Sequence, residues 1–203
     1  MLCLNGQLIW EMQVSRYSIE FGFIEKEDAI SLINYIKTNK TDPSLFYQPE
    51  KPGKERHQSY SPEYFDIKIH KEVLHLIQKY SEKIVSYAKH NFTNGSNAYV
   101  ASFWLSCLGP NTKLPPHTDN NDWVVDGKPV HQDHLSISGV LYLNEDFEGG
   151  ELRFTDSGHT YAPKGNSMVM FEPTDEHEIM EIKSGYRYSC PFWLTFDKDK
   201  SIL

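Results

Sequence analysis

Apolar and polar positions follow two different periods along this chain, and the change of period divides it. Between Ile24 and about Lys40, Ala29, Ile30, Ile33, Tyr35 and Ile36 recur at helical spacing behind an acidic first turn, which predicts an amphipathic helix. A second helix is predicted from Lys71 to about His90, where Val73, Leu74, Ile77, Tyr80, Ile84, Val85 and Ala88 share one side. Ahead of both, residues 1–22 alternate around Leu8, Trp10, Met12 and Val14 with an Asn5-Gly6 turn signal, so an opening strand or hairpin is expected. From Tyr99 onward the pattern shortens to short β-type runs separated by turn residues: AYVASFWLSCL, LSISGVLYLN, GELRF, NSMVMFE, IMEI and RYSCPFWLTF. Strands at that spacing indicate a sandwich or barrel. Helices followed by many strands give an α+β fold, with the helices backing one sheet of a jelly-roll-like barrel. The stretch 41–66 holds four of the eleven prolines and little periodicity, and is expected to be an extended loop lying over a site.

Length and composition narrow the class. At 203 residues with 39% apolar content, one domain is expected, residues 1–98 supplying a strand and helices and residues 99–197 the barrel. A net charge of −8 and a pI near 5.6, with scattered lysines, argue against a duplex-nucleic-acid or anionic-membrane surface. Cys3, Cys107 and Cys190 form no CxxC pair, which suits a reducing compartment; cytoplasm is the expectation. The first residues lack a basic start followed by a long apolar run, and no stretch approaches the ~18 apolar residues of a membrane span.

The chemistry concentrates in the barrel half. His117 and Asp119, in LPPHTDNN, stand two apart at the end of an expected strand and can point to one side; His177, in EPTDEHEIMEI, could close a triad from the opposite sheet. Two neutral imidazoles and a carboxylate on one face of a metal leave positions open for a chelating ligand and O2, which favours Fe(II). Zinc with an open water position would use similar ligands. Arg187, ten residues after His177, could hold the remote carboxylate of a dicarboxylate co-substrate. An H-x-D pair alone arises often by chance among nine histidines. The order H-x-D, YLN strand, Gly-Gly turn, late histidine and strand arginine does not. His131 and His134 form HxxH in a loop, without helical ligand spacing, and His57, His70, His75, His90 and His159 read as surface or packing residues. Glu176 and Glu178 read as solvent-facing, with the option of orienting a ring.

Over residues 99–197 these motifs resemble the prolyl-4-hydroxylase-type branch of the 2-oxoglutarate and Fe(II)-dependent dioxygenases, with a weaker echo in GFIEKEDAISLINYI. The resemblance implies a double-stranded β-helix fold with N-terminal helices, and Fe(II), 2-oxoglutarate and O2 as cofactor and co-substrates, with ascorbate as a candidate reductant. It places the iron ligands on His117, Asp119 and His177 and the distal-carboxylate grip on Arg187. Ser189, two residues on along the same strand face, and Tyr142, in GVLYLNEDFEGGELRF, could reach the same carboxylate, and Trp193 matches an aromatic near the metal in relatives. Core packing explains Tyr142 and Trp193 about as well. One departure stands out: Leu108-Gly109-Pro110-Asn111 replaces a Tyr-Gly-Pro-Gly run, so a tyrosine hydroxyl is missing, and Trp104 and Ser106 become candidates to line the pocket.

By the same resemblance, the chain would oxidatively decarboxylate 2-oxoglutarate to succinate and CO2 while hydroxylating a substrate. Asp119 fills a position that is small in related halogenases, which favours hydroxylation. The substrate is expected to be a protein or peptide residue such as proline, or a free amino acid or other small metabolite, selected by the loop NNDWVVDGKPVHQDH with Trp123, Asp122 and Asp126 and by the 41–66 segment. Two rivals use the same barrel: a zinc hydrolase, with Glu176 or Glu178 as its base, and a non-catalytic binding module. Oligomeric state is open.

Overall fold

The computed structural model describes residues 17–39, 71–92, 95–121 and 132–203, together with the backbone of residues 3–4, 7–8, 59–60, 123–125 and 128–130. In chain order the elements are β1 (Cys3–Leu4), β2 (Gln7–Leu8), β3 (Tyr17–Glu20), α1 (Lys26–Asn39), β4 (Ser59–Tyr60), α2 (Leu74–Asn91), β5 (Tyr99–Phe103), β6 (Ser106–Leu108), β7 (Leu114–His117), β8 (Trp123–Val125) and β9 (Lys128–Val130). The remainder are β10 (Leu135–Tyr142), β11 (Glu148–Gly149), β12 (Leu152–Phe154), β13 (Thr160–Tyr161), β14 (Ser167–Phe171), β15 (His177–Ile179), β16 (Ile182–Ser184) and β17 (Arg187–Thr195). The larger sheet runs β3-β14-β10-β17-β6-β4, with β5 also on β17; the smaller runs β13-β12-β15-β7. Rings from the two sheets meet between them, Phe154 on Phe171 at 5.3 Å and Tyr142 near Tyr161 at 5.8 Å. This is the expected jelly-roll core.

Both helices lie on the outer face of the larger sheet because their apolar stripes match its outward alternation. From α1, Ala29, Leu32 and Ile36, and from α2, Ile77, Tyr80, Ile84 and Ala88, join Ile137 and Leu141 of β10 and Cys190, Phe192 and Leu194 of β17 in one core. The helices are tied to each other by Asp28 of α1, which accepts hydrogen bonds from the Tyr80 hydroxyl and Lys79 ammonium, each at 2.7 Å. A second cluster, Val140, Tyr142, Leu152, Phe154, Tyr161, Val169 and Phe171, fills the barrel between the sheets.

Some sequence expectations shift. AYVASFWLSCL is one continuous run in sequence but two strands in the fold, interrupted at Trp104–Leu105; both halves still pair with β17, and the Trp104 N–H donates to the Pro191 carbonyl at 2.8 Å across the break. IMEI is not a strand: β15 ends at Ile179 and β16 begins at Ile182, because the Met180 and Ile182 amides bond outward to Glu151 and Thr112. The opening hairpin is described as β1–β2, with Leu4 opposite Gln7, while Asn5, Gly6, Trp10, Met12 and Val14 lie outside the described residues. Of the 41–66 segment only β4 is described, on the edge beside β6. The side chains of Trp123, Asp122, Asp126 and His131 lie outside the described residues. Among the described residues, no helix is long and apolar enough to cross a membrane.

Candidate functional site

β7 ends at His117, and the chain then turns so that the Asp119 amide donates to the Pro173 carbonyl at 2.9 Å, just past the end of β14. β15 lies directly alongside β7, with His177 opposite His117. The third member of the triad therefore comes from the neighbouring strand of the same sheet and not from the opposite sheet, as sequence order suggested; cross-strand pairing is what brings the two rings to 4.4 Å. His117 Nε2 stands 3.5 Å from Asp119 Oδ1, and His177 Nε2 3.8 Å from Asp119 Oδ2. All the ligating atoms lie within 4.8 Å of one another.

The rings are oriented by backbone. His117 Nδ1 hydrogen-bonds the Pro115 carbonyl and His177 Nδ1 the Asp175 carbonyl, both at 2.9 Å, so each ring donates from Nδ1 and directs its Nε2 toward Asp119. The glutamates beside His177 do other work. Glu176 accepts from the Thr155 hydroxyl, and Glu178 pairs with Arg153 across β12–β15, so neither holds a ring and neither is placed as the base that a hydrolase would need.

Burial and charge together set the protonation of the triad. Burial opposes the Asp119 charge, but the hydrogen bond from His117, the charges of His177 and His117, and the Ser138 hydroxyl outweigh it, so the carboxyl titrates below its ordinary range. For His177, burial prevails over the attraction of Asp119 and, with the charge of His117, lowers its pKa, which favours the neutral ligand form. His117 goes the other way: burial would lower it, yet the hydrogen bond and charge of Asp119, the Pro115 carbonyl and Glu176 raise it.

The wall opposite the triad is the inner face of β10 and β17. Registered pairs run Tyr142 with Ser189, Val140 with Pro191 and Ser138 with Trp193, and β6 extends this face by setting Ser106 beside Ser189 and Leu108 beside Arg187. Arg187 is 1% exposed. Its Nε and Nη2, the Tyr142 hydroxyl and the Ser189 hydroxyl have no hydrogen-bond partner among the described residues. The guanidinium carbon sits 4.9 Å from the Tyr142 ring centroid. A buried guanidinium costs several kcal/mol unless an anion meets it. Gly150, at φ 69°, belongs to the same arrangement, since a Cβ there would collide with Ile182 and press on Arg187 Cδ at 3.3 Å.

Every residue assigned in sequence to the metal or the co-substrate is thus described, and the fold turns them toward the space between the two sheets. His117, Asp119 and His177 cluster at β7, the turn after it and β15, and Arg187, Tyr142 and Ser189 lie together on β10 and β17. Trp193 is half-buried, its ring 4.8 Å from Trp104. Leu108 stands beside Arg187, where the resemblance had led one to look for a tyrosine hydroxyl. The donor set fits Fe(II), because two imidazoles and a carboxylate converge with their ligand atoms within 4.8 Å of one another, the N2O set that suits this ion. The orphaned polar atoms around Arg187 fit the far carboxylate of a dicarboxylate. Sequence reasoning passed over Ser138; its parity with Val140 and Tyr142 in LSISGVLY was the available signal. The Pro115 and Asp175 carbonyls carried no side-chain signal at all.

Residues 103–195 match the family model of the 2OG-Fe(II) oxygenase superfamily. A PKHD-type hydroxylase of Prochlorococcus marinus (strain NATL2A) is 28% identical over 177 residues, covering 85% of this chain and 75% of that protein. Among solved structures, a prolyl hydroxylase of Trichoplax adhaerens in complex with a hypoxia inducible factor peptide fragment aligns with TM-score 0.66 at 13% identity, over 91% of this chain and 85% of that one. A prolyl-4-hydroxylase of Pseudomonas putida aligns with TM-score 0.58 at 18% identity, over 88% and 91% of the two chains.

Proposed function

We propose, from the premise that this chain belongs to the 2OG-Fe(II) oxygenase superfamily and is a 2-oxoglutarate-dependent hydroxylase, that it acts as one catalytic domain on a proline-type residue within a peptide. His117, Asp119 and His177 would hold Fe(II), and Arg187 would hold the distal carboxylate of 2-oxoglutarate, with Tyr142 and Ser189 donating to the same group. The observation that carries the assignment is the presence, on the two sheets of one barrel, of an N2O donor cluster and a buried guanidinium unmatched among the described residues. When bound, Fe(II) and 2-oxoglutarate supply an oxidative decarboxylation that yields succinate and CO2 and delivers oxygen to a C–H bond. The chain's part is to present Asp119 ionised and His177 neutral, to fix both rings through backbone carbonyls, and to exclude water around Arg187.

The half-buried Trp104–Trp193 pair, meeting edge to face at 4.8 Å, supports a compact apolar ring as the group admitted. The peptide named in the Trichoplax structure points the same way. Buried thiols at Cys107 and Cys190 suit the cytoplasmic setting we propose. The test is succinate formation with Fe(II), 2-oxoglutarate and a panel of proline-containing peptides against free amino acids. Peptide-stimulated turnover with a mass gain of one oxygen on the peptide supports the proposal. Stimulation only by free amino acids overturns the peptide assignment, and no 2-oxoglutarate consumption under any condition overturns the whole.

A further inference from the structure

Three residues of β10 face the cavity, and two have evident roles. Tyr142 stacks on Arg187 and Val140 fills the middle of the barrel. The third, Ser138, is 0% exposed, and its hydroxyl has no hydrogen-bond partner among the described residues. A buried hydroxyl without a partner costs about 1–3 kcal/mol, so alanine or valine would suit a purely structural position better.

Its neighbours say what it faces. Ser138 pairs with Phe171 on one side and Trp193 on the other. The Phe171 ring packs on His177 at 4.6 Å, and two residues past Phe171 the Pro173 carbonyl receives the Asp119 amide at 2.9 Å. Ser138 therefore stands at the metal end of the floor, against the segment that carries Asp119. An ionised carboxylate has two accepting oxygens; in a site where Asp119 is 7% exposed, the oxygen a metal does not take needs a protein donor.

We propose that Ser138 is a positioning residue whose hydroxyl donates to the Asp119 carboxylate oxygen left free by the metal, so that Asp119 presents a single oxygen and the remaining positions stay open. This rests on the ligand assignment above. Carboxylate ligands are commonly held by such outer hydrogen bonds, and removing one weakens metal binding 10–100-fold.

Co(II), which is insensitive to O2, serves as the probe, titrated into wild type, Ser138→Ala and Ser138→Thr and followed by visible absorption and thermal unfolding. Ser138→Ala should bind Co(II) about tenfold more weakly with an altered ligand-field spectrum, while its metal-free melting temperature stays level or rises. Ser138→Thr, which keeps the hydroxyl, should recover both affinity and spectrum. Wild-type affinity and spectrum in Ser138→Ala would overturn the proposal, as would a spectrum unchanged while only the melting temperature falls. If wild-type protein itself binds no Co(II), the ligand assignment fails, and that result is distinct from a failure at Ser138.

Discussion

The two faces of β10 and β17 are built from the same alternating residues but to opposite standards. Facing the helices, Ile137, Leu141, Cys190, Phe192 and Leu194 are apolar and at most 1% exposed, and even Gly139 is matched to its neighbour, since a Cβ there would run into the Phe192 ring. Facing the cavity, Ser138, Tyr142, Arg187 and Ser189 are just as buried yet leave hydroxyls and guanidinium nitrogens without partners among the described residues. On the helix-facing side of β10 and β17 the buried side chains are apolar, whereas the other side buries polar groups unmatched among the described residues. Stability is therefore concentrated on the helix side, and the cavity side carries a deficit that bound groups can remove.

The comparison predicts that variants divide by face, and the largest effects should come from the triad. Asp119→Ala or His177→Ala should bring succinate formation below detection with little change in melting temperature, checked by turnover assay beside calorimetry; retained activity would remove that residue from the ligand set. Next, Phe192→Ala on the helix face should destabilise the fold by about 3–5 kcal/mol, read by urea unfolding, with near-normal turnover per folded molecule at low temperature. A specific loss of activity without loss of stability would contradict the division.

Arg187→Met tests the deficit itself. It should weaken 2-oxoglutarate binding by about 2 kcal/mol or more, near 30-fold, while leaving stability of the ligand-free protein equal or higher. Calorimetric binding and thermal melts together decide this; a variant that is markedly less stable would show that Arg187 is already satisfied by the fold.

The smallest effect concerns the helix pair. Hydrogen bonds from Lys79 and Tyr80 hold the Asp28 carboxyl below its usual 3.8, while burial and this same carboxylate push the Tyr80 hydroxyl up to about 12. Because the folded pKa of Asp28 is depressed, its contribution is complete above the unfolded value and is lost as pH falls through the folded one. Asp28→Asn should thus lower stability by about 1 kcal/mol at neutral pH, and the difference from wild type should shrink as pH is taken below 4. A gap that persists unchanged at low pH would assign the effect to packing.

Much of this division was legible in the sequence because it follows period two. The parity of LSISGVLY and RYSCPFWLT already puts Tyr142, Arg187, Ser189 and Trp193 on the face opposite Leu141, Phe192 and Leu194. The helices were equally visible, α1 ending at Asn39 and α2 at Asn91, each within a residue of the ends expected near Lys40 and His90. What could not be read was partnership between distant segments. Sequence order suggests that His177 reaches across from the other sheet, whereas β15–β7 pairing sets it beside His117. The interruption at Trp104–Leu105 was hidden too, because both halves of that run are equally apolar. Ser138 escaped because a serine in a strand is unremarkable until its neighbours are known to be Phe171 and the Asp119 turn.

The most direct test of the cavity's assignment is anaerobic titration of wild-type protein with Fe(II) and then 2-oxoglutarate, followed by the visible charge-transfer absorption that accompanies chelation of a keto acid at an open Fe(II) site. A saturable band in wild type that is abolished in His177→Ala, and that needs far more 2-oxoglutarate in Arg187→Met, is the expected result. Fe(II) binding without any band at saturating 2-oxoglutarate, or a band indifferent to both substitutions, would contradict the placement of metal and co-substrate between β7–β15 and β10–β17.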